Sequence, residues 1–585
     1  MNYKDRVSNY DKEPEVIVSG YDNCAYTGYK DIVNELKSKI NKEKHIVTVD
    51  CYFGVKDEEV LTTLVNELKP CLVIKSEDMF YEKDTLNYLM KRNLTEDRVF
   101  GIMYNGGLED FIDIKLQNEL KKEVESKGSG IILIYGVGAS LIDRGDTLIY
   151  ADLARWEIQR RFRKKELGNF KANNCEDDVL RKYKRAFFIE WRIIDRHKSS
   201  LFDSIDYLLD TNIYDEPKLL SGEAFRIGLN EATKRPFRVV PFFDPGVWGG
   251  EWIQEVCNVY KQEKNLAWGF DCVPEENSLY IKYGNIRVEV PSLDVVLYKP
   301  KELLGEKVYA RFGAEFPIRF DFLDTINGQK LSLQVHPVTQ YIQEKFGMNY
   351  TQDESYYILD AKEDACVYLG LKENINKDDM ISDLKRANAG EIIFDEEKYI
   401  NKFDAKRHDH FLIPAGTVHC SGNNSMVLEI SATPFIFTFK LWDWGRLGLD
   451  GLPRPIHIEH GKKVIEWNRT TKWIKANLVN KTELISDNGV TREEKTGLHE
   501  LEFIETRRIW SDKAVKHNTN NIVNVLNLVE GEEAIVESMN GNFEPFVIHY
   551  VETFIVPASV GEYTIRPYGK SEGKIIGIVK AYVRC

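Results

Sequence analysis

Two short stretches of the chain carry side chains that could bind a metal ion. In residues 331–337, Gln334 and His336 stand two apart in a run of strand-forming residues, so both side chains leave the same face of one strand. In residues 412–419, a Pro-Ala-Gly sequence is typical of a tight turn and delivers His419 on the strand that follows. Two imidazoles and an amide oxygen directed at one point would suit a divalent cation.

A carboxylate completes this candidate ligand set. Glu354 begins Glu-Ser-Tyr-Tyr-Ile-Leu-Asp, the next predicted strand. With the two imidazoles and the amide it leaves a coordination position open for a substrate oxygen, as in catalytic sites, whereas structural zinc sites are closed and rich in sulfur. Cys420 would face away from His419 on a regular strand, which excludes it as a ligand. A Gln-x-His pair alone is more often a polar part of a strand wall, so the metal interpretation depends on further motifs.

The elements around these ligands are predicted to be short antiparallel strands. From Pro236 to the end of the sequence, Gly, Pro and Asn interrupt short β-rich runs, which is typical of a barrel or a sandwich. One helical interruption is predicted near residues 375–402, where Met380, Ile381 and Leu384 have helical spacing, and it includes a second short helix around residues 395–401.

The sequence also repeats itself within this region. From about residue 497 a second set of strands begins, and its closing stretch, residues 554–563, resembles residues 411–420, with Pro-Ala at equivalent points. This repeat predicts two barrels of related design, the second without the histidine.

The first part of the chain has a different pattern. Between about residues 15 and 155, short β-rich runs alternate with polar helical stretches, which predicts a mostly parallel sheet covered by helices. The β-rich runs are residues 16–19, 45–50, 72–75, 131–135 and 147–150.

Residues 20–27 follow the first of these runs, where a phosphate loop would lie between a strand and a helix. Against the pattern G-x-x-x-x-G-K-[ST], Gly20 and Thr27 fit, but Ala25 and Tyr26 replace the second Gly and the Lys. Without the Lys, which reaches the β- and γ-phosphates, ATP hydrolysis or phosphoryl transfer is not expected. Residues 146–163 resemble the last strand and basic helix of nucleoside-kinase-like P-loop proteins, so the domain is predicted to have that fold with a degraded loop; the alternative is a doubly wound domain that binds no nucleotide.

Composition excludes several classes of partner. The net charge of −14, from 79 Lys and Arg against 93 Asp and Glu, argues against nonspecific nucleic-acid or membrane binding and favours small solutes. Nine cysteines without C-x-x-C spacing suit free thiols in a reducing compartment, so we expect a cytoplasmic protein. No run of about 18 apolar residues and no apolar leader is present, so neither membrane spanning nor secretion is predicted.

Further motifs occur in a consistent order around the candidate ligands. They are Val247-Trp-Gly-Gly250, Phe322-Leu-Asp324, Gly370-Leu371 and Arg454-Pro-Ile-His-Ile-Glu459. With these, residues 236–585 resemble type I mannose-6-phosphate isomerases, zinc enzymes of the cupin superfamily with two barrels. The resemblance implies that Gln334, His336, Glu354 and His419 are zinc ligands.

The predicted fold class is therefore multidomain, α/β followed by all-β. A degenerate P-loop-like parallel α/β domain is expected at residues 1–165 and a helical connector at 166–235. A metal-binding cupin domain with a small helical insertion is expected at residues 236–496, and a C-terminal cupin-like β-barrel at 497–585.

The sequence departs from the family at its cations. These isomerases interconvert an aldose and a ketose phosphate through an enediol, so a base must move a proton while a cation stabilises the oxyanion. Lys440 stands where the family carries a catalytic Arg, and it keeps the charge but loses the planar fork. Asp321 and Gln352 replace two further lysines usual in the family. Arg446 is the second candidate for substrate binding. Glu429 is the candidate base, with metal-bound water as the alternative.

The sequence thus predicts a zinc-dependent enzyme that interconverts mannose 6-phosphate and fructose 6-phosphate, with a sugar phosphate as its partner. Mn, Fe, Co and Ni also suit the ligand set. The first alternative is a metal-containing sugar sensor without turnover, whose α/β domain reports occupancy. The second alternative is a bifunctional enzyme with kinase activity in residues 1–165.

Overall fold

The chain divides into two compact units. The computed structural model describes residues 7–432 and 437–585. The first, which we call the α/β unit, comprises Glu15–Ala232 and Glu275–Lys299; the second, the β unit, comprises the residues up to Pro14, Thr233–Pro274 and Pro300–Cys585. In the described part of the chain, no helix is both long and apolar enough to cross a membrane.

The elements as far as Lys299 include all of those in the α/β unit. The strands are β1 (Glu15–Val18), β2 (Ala25–Thr27), β3 (Lys44–Cys51), β4 (Leu72–Lys75), β5 (Gly130–Gly136), β6 (Thr147–Asp152), β7 (Tyr207–Asp210), β8 (Lys218–Ser221), β9 (Phe242–Asp244), β10 (Trp268–Cys272), β11 (Ser278–Tyr283) and β12 (Ile286–Pro291). The helices are α1 (Gly28–Lys39), α2 (Asp57–Leu68), α3 (Lys83–Leu94), α4 (Ile114–Ser126), α5 (Arg155–Arg163), α6 (Val179–Arg185), α7 (Trp191–Ser199), α8 (Gly222–Thr233), α9 (Trp252–Val256) and α10 (Leu293–Tyr298).

A seven-stranded sheet forms the centre of the α/β unit. Its order is β2-β8-β7-β6-β3-β5-β4, and the five strands from β7 to β4 are parallel. Parallel strands with helices on their faces are apolar on both sides, and β3 is accordingly buried along most of its length. Val47 and Val49 pack with Ile32 of α1 and Leu64 of α2 in one hydrophobic core. The predicted parallel α/β sheet is confirmed.

Two features of this unit differ from the sequence-based expectation. β1 is not part of the parallel sheet, because it pairs with β11 in a separate three-stranded sheet completed by β12, so that expectation for residues 16–19 is wrong. A short apolar run indicates a strand but not the sheet that the strand joins. Residues 166–235 contain not only helices but also β7 and β8, which extend the main sheet.

The remainder of the chain, from Pro300, belongs to the β unit. Its strands are β13 (Arg319–Asp324), β14 (Leu333–Val335), β15 (Asp353–Ala361), β16 (Cys366–Leu371), β17 (Ile400–Asp404), β18 (His410–Ile413), β19 (His419–Ser421), β20 (Ser425–Ala432), β21 (Phe439–Trp442), β22 (Glu483–Asp487), β23 (Thr491–Gly497), β24 (Ile504–Ser511), β25 (Val515–Asn518), β26 (Asn524–Glu530), β27 (Glu533–Ser538), β28 (Phe546–His549), β29 (Thr553–Val556), β30 (Glu562–Pro567) and β31 (Ile576–Val583). The helices are α11 (Pro300–Leu304), α12 (Glu306–Phe312), α13 (Thr339–Phe346), α14 (Lys377–Asn388), α15 (Glu396–Tyr399), α16 (Ile458–Val464) and α17 (Thr471–Asn477).

Four antiparallel sheets build the β unit. The first two have the orders β18-β15-β20-β13-β10-β9 and β17-β16-β19-β14-β21, and we call them sheets I and II. The other two, β22-β23-β24-β31-β26-β29 and β25-β30-β27-β28, enclose a common core to which Ile578 and Ile565 contribute; we call this pair the C-terminal sandwich. The antiparallel all-β prediction is confirmed, and α14 and α15 form the predicted helical interruption.

Candidate metal centre

Three residues from sheets I and II meet in the interior of the β unit. Glu354 lies in β15 of sheet I, His419 lies in β19 of sheet II, and His336 directly follows β14. His336 Nε2 lies 3.1 Å from Glu354 Oε2, and His419 Nε2 lies 2.8 Å from Glu354 Oε1. All three side chains are fully buried, and their ligand atoms lie within 4.8 Å of one another.

The strand pairing explains why these side chains converge. Gln334 of β14 is directly opposite His419 of β19, and residues opposite each other in antiparallel strands project from the same face. The Gln334 amide nitrogen lies 3.2 Å from His419 Nε2. Because the two ends of an amide are assigned from hydrogen bonding, rotating this amide by a half turn would place its oxygen there instead. The structure therefore brings all four predicted ligands together.

The backbone fixes the tautomer of both imidazoles. His336 Nδ1 lies 2.9 Å from the carbonyl oxygen of Phe437, and His419 Nδ1 lies 2.9 Å from that of Thr417. A carbonyl only accepts, so each Nδ1 carries a hydrogen and each Nε2 is left as the ligand atom.

The donor chemistry fits a cation. Within the described residues, neither His336 Nε2 nor Glu354 Oε1 has a partner with hydrogen-bond geometry, although both are buried. Imidazole lone pairs and a carboxylate at this distance repel one another unless a positive charge lies between them. Two imidazoles with a carboxylate and an amide are a ligand set that zinc and its neighbours accept.

The electrostatics of the site agree with this reading. Burial disfavours the charge on Glu354, but positive charge on His336 and His419 outweighs it and holds the pKa of this carboxyl well below its usual value, as a cation between the three side chains would. Burial likewise lowers the pKa of His336, but the Glu354 carboxylate raises it above its usual value. Gln352 also contributes, because its Nε2 donates to Glu354 Oε2 at 3.0 Å. The site holds an ionised carboxylate whose field attracts positive charge.

Glu429, the predicted base, lies on the inner face of sheet I. It is opposite Tyr356 of β15 and Asp321 of β13, so it projects from the same face as Glu354. Burial raises its pKa well above the usual value, and the charges of Glu354 and Asp321 raise it further. Burial and the two neighbouring carboxylates therefore favour the protonated form of Glu429 over the charged form.

Lys440 and Arg446 have different surroundings. Lys440 of β21 is opposite Gln334, so its side chain projects from the same face of sheet II as the candidate ligands. Arg446 donates through Nε and Nη2 to Asp443 and, at 2.8 Å through Nη1, to the carbonyl oxygen of Lys330. The guanidinium of Arg446 is thus engaged by the protein itself.

Sequence reasoning missed two residues of this site. Arg319 lies opposite Ser431 on the inner face of sheet I and pairs with Asp321 at 3.2 Å. The ring of Tyr356 lies 5.8 Å from that of His419. Arg319 lies two residues before Asp321, and Tyr356 lies two residues after Glu354. Since residues two apart in a strand project from the same face, the sequence could have identified both.

The α/β unit holds a cavity of about 310 Å³ at the carboxyl ends of β3, β4 and β5. This is where ligands bind in parallel sheets. The helix that begins there, α2, carries Asp57, Glu58 and Glu59 in its first turn, which disfavours a phosphate at its N-terminus. Residues 20–27 follow β1 rather than a strand of the parallel sheet. The prediction that this unit has a P-loop-like fold with a degraded phosphate loop stays untested.

Comparison with known proteins gives three results. Residues 28–234 match the model of a family described as a domain of unknown function, DUF8485. Over 235 residues the chain is 25% identical to the mannose-6-phosphate isomerase ManA of Bacillus subtilis. The aligned region covers 40% of this chain and 69% of that protein. The mannose-6-phosphate isomerase of Streptococcus mutans is 26% identical over 246 residues, 41% of this chain and 72% of that protein.

A solved structure of the mannose 6-phosphate isomerase from Bacillus subtilis aligns with a TM-score of 0.47 and 17% identity, over 60% of this chain and 99% of that one. The sequence matches make the chain a distant relative of type I mannose-6-phosphate isomerases across about 40% of its length.

Proposed function

We propose that the β unit is a metal-dependent isomerase that interconverts mannose 6-phosphate and fructose 6-phosphate. The observation that carries the proposal is the pair of imidazoles whose Nδ1 atoms are held by carbonyl oxygens and whose Nε2 atoms meet the Glu354 carboxylate. The distant relation to mannose-6-phosphate isomerases supports the choice of substrate.

The metal would be held by Gln334, His336, Glu354 and His419. Zinc is the proposed ion, although other divalent transition metals suit nitrogen and oxygen donors. When bound, such an ion supplies a Lewis acid for an oxygen of the sugar.

Glu429 is the proposed proton carrier. Interconversion of an aldose and a ketose moves one proton between neighbouring carbons, and the raised pKa of Glu429 makes this carboxyl a stronger proton acceptor than an exposed one. Its burial among Tyr356, Asp321 and Glu354 excludes water, which keeps the proton from being lost to solvent.

Lys440 and Arg446 are the proposed substrate cations. Lys440 would attract an anionic oxygen as a single charge, whereas an Arg would bind two oxygens at once. For Arg446 to contact a phosphate, its Nε or Nη2 would give up a hydrogen bond to Asp443 and donate to the substrate instead.

The experiment that tests the function is an NMR assay of the purified full chain with mannose 6-phosphate. Fructose 6-phosphate should form, stop forming after chelation, and form again when zinc is restored. His336→Gln should abolish the conversion, while His45→Gln, which replaces a buried histidine of the α/β unit, should leave it unchanged. If no chelator-sensitive conversion occurs, the proposal is wrong.

A ligand sensor without turnover is the second candidate. The observation that favours it is the acidic inner face of sheet I, where Asp321 lies directly opposite Glu429. Asp321 pairs with Arg319 and stands where the family usually carries a lysine, so the site offers one cation fewer to stabilise charge during turnover. Binding of mannose 6-phosphate without conversion, in both the wild type and Lys440→Arg, would support the sensor.

A further inference from the structure

A buried turn at residues 414–417 is bonded to both candidate histidine ligands. The carbonyl oxygen of Thr417 lies 2.9 Å from Nδ1 of His419, which donates to it. The amide of Gly416 donates to the main-chain carbonyl oxygen of His336 at 2.9 Å. Because one turn is bonded to both histidines, its position affects how the two imidazoles are oriented relative to each other.

The same turn is bonded to the strand that carries the third candidate ligand. The amide of Ala415 donates to Asp353 Oδ1 at 2.8 Å, and Asp353 immediately precedes Glu354 in β15. Buried amides of a main chain need acceptors, and in this turn the acceptors belong to segments that bear ligands. A single turn therefore connects the three chain segments that supply His336, Glu354 and His419.

The side chain of Arg469 holds this turn. Its Nη1 donates to the carbonyl oxygens of Pro414 and Ala415, both at 2.8 Å, and to Thr417 Oγ1 at 2.7 Å. A guanidinium stays charged in a protein, and hydrogen bonds from a charged donor are stronger than those between neutral groups. One charged nitrogen atom is therefore bonded to three of the four residues of the turn.

Arg469 is itself fixed to sheet II and to its own segment. Its carbonyl oxygen accepts from the amide of Leu371 at 3.1 Å, at the end of β16, which pairs with β19. Its guanidinium carbon lies 5.3 Å from the centre of the Trp473 ring in α17, which is a cation–π distance. The amide of Glu466 donates to the carbonyl oxygen of Gly416 at 2.9 Å, so the segment before Arg469 is also bonded to the turn.

We infer that Arg469 is a positioning residue of the candidate metal centre. This inference rests on the proposed metal-dependent function. By fixing the turn at residues 414–417, the guanidinium sets where the Thr417 carbonyl holds the imidazole of His419 and where the main chain holds His336. Loss of a hydrogen-bond partner of a metal ligand typically weakens metal binding about 10- to 100-fold. Arg469 acts on such a partner through the turn, and not through contact with the ion or the substrate.

Metal binding by the purified full chain tests the inference. The variants are Arg469→Met, which removes the charge and keeps an apolar stem, and Arg469→Gln, which takes its place if the Met variant does not fold. Arg584→Met is the matched control, because Arg584 is also a half-buried arginine of the β unit and donates to the carbonyl oxygens of Leu498, His499 and Glu502. Since each substitution leaves buried carbonyl oxygens without a donor, both Met variants should lose stability in urea unfolding.

Two measurements separate positioning from stability. Competition with a chromophoric chelator gives the dissociation constant for zinc, and cobalt(II) in place of zinc has visible absorption bands that depend on the geometry of its ligands. Arg469→Met should raise the dissociation constant roughly 10- to 100-fold and change the cobalt bands, whereas Arg584→Met should match the wild type in both. Lower stability alone would leave the bands of the folded protein unchanged.

Three results would contradict the inference. Wild-type zinc affinity and unchanged cobalt bands in the Arg469 variant would overturn it and leave the metal-dependent function intact. Equal losses in the Arg469 and Arg584 variants would also overturn it, because metal binding would then follow stability alone. A wild type that binds neither zinc nor cobalt would refute the metal centre itself, and the inference with it.

Discussion

Replacing Gln352 by Leu should weaken metal binding while leaving the fold intact. Gln352 is buried, and its Nε2 donates to Glu354 Oε2 at 3.0 Å. A hydrogen bond to a charged group is worth about 1.5–3 kcal/mol. Loss of that bond frees one oxygen of the carboxylate to turn away from the two imidazoles, so the dissociation constant for zinc should rise roughly 10- to 100-fold.

The same substitution should cost little stability. Gln352 Oε1 is buried and, in the described part of the protein, accepts no hydrogen bond. Leu removes this unsatisfied oxygen together with the donor, and an unsatisfied buried group costs about 1–3 kcal/mol. The two effects on the free energy of unfolding therefore nearly cancel. Alanine at the same position would instead leave a void and should destabilise the β unit.

The assay is competition for zinc between the protein and a chromophoric chelator, followed by urea unfolding of the metal-free protein. Gln340→Leu is the matched control, because Gln340 is exposed on α13 and its Nε2 donates to the exposed Glu344. Equal zinc affinity of Gln352→Leu and the wild type would refute the reasoning, since it would mean that the hydrogen bond does not orient Glu354. A large loss of stability would equally contradict the balance described above.

Three further predictions concern protons and charge. Glu429→Gln should lower the turnover number about 10²- to 10⁴-fold with an unchanged zinc content; normal turnover would exclude Glu429 as the proton carrier. Lys440→Arg should lower KM for mannose 6-phosphate and Lys440→Met should raise it, and equal KM values in steady-state kinetics would place Lys440 outside the substrate site. In the α/β unit, burial and then the charge of Asp210 raise the pKa of Glu289 from 4.5 to about 7. A raised pKa stabilises the fold at low pH, so the stability of this unit should fall as pH rises from 4.5 to 7, and Glu289→Gln should remove that slope in urea unfolding.

Local sequence patterns were sufficient to predict the strands that carry the candidate ligands. The alternation of a strand predicts that Gln334 and His336 share a face, and the sequence after Glu354 predicts β15. The pairing of Gln334 with His419 is a contact between residues 85 positions apart, and nothing in either stretch specifies it. It follows from the register of sheet II, which is set by packing in the whole unit.

Other features depend on the same long-range information. β7 and β8 are short and lie in a charged segment, so their length gives too few residues for a period to be recognised. β1 contains three consecutive apolar residues, Val16, Ile17 and Val18, which suit a strand of the parallel sheet as well as a partner of β11. One partner of Arg446, the carbonyl oxygen of Lys330, likewise lies 116 positions away in the sequence, which a motif cannot show.

The carbonyl oxygens of Thr417 and Phe437 have a consequence for how this protein can evolve. They belong to the main chain, so no replacement of a side chain can remove the acceptors that orient His336 and His419. Replacing a neighbouring side chain, such as Lys440, Asp321 or Gln352, therefore leaves both of these acceptors in place. A site built in this way can exchange the side chains that would meet a substrate while the orientation of its two imidazoles is preserved.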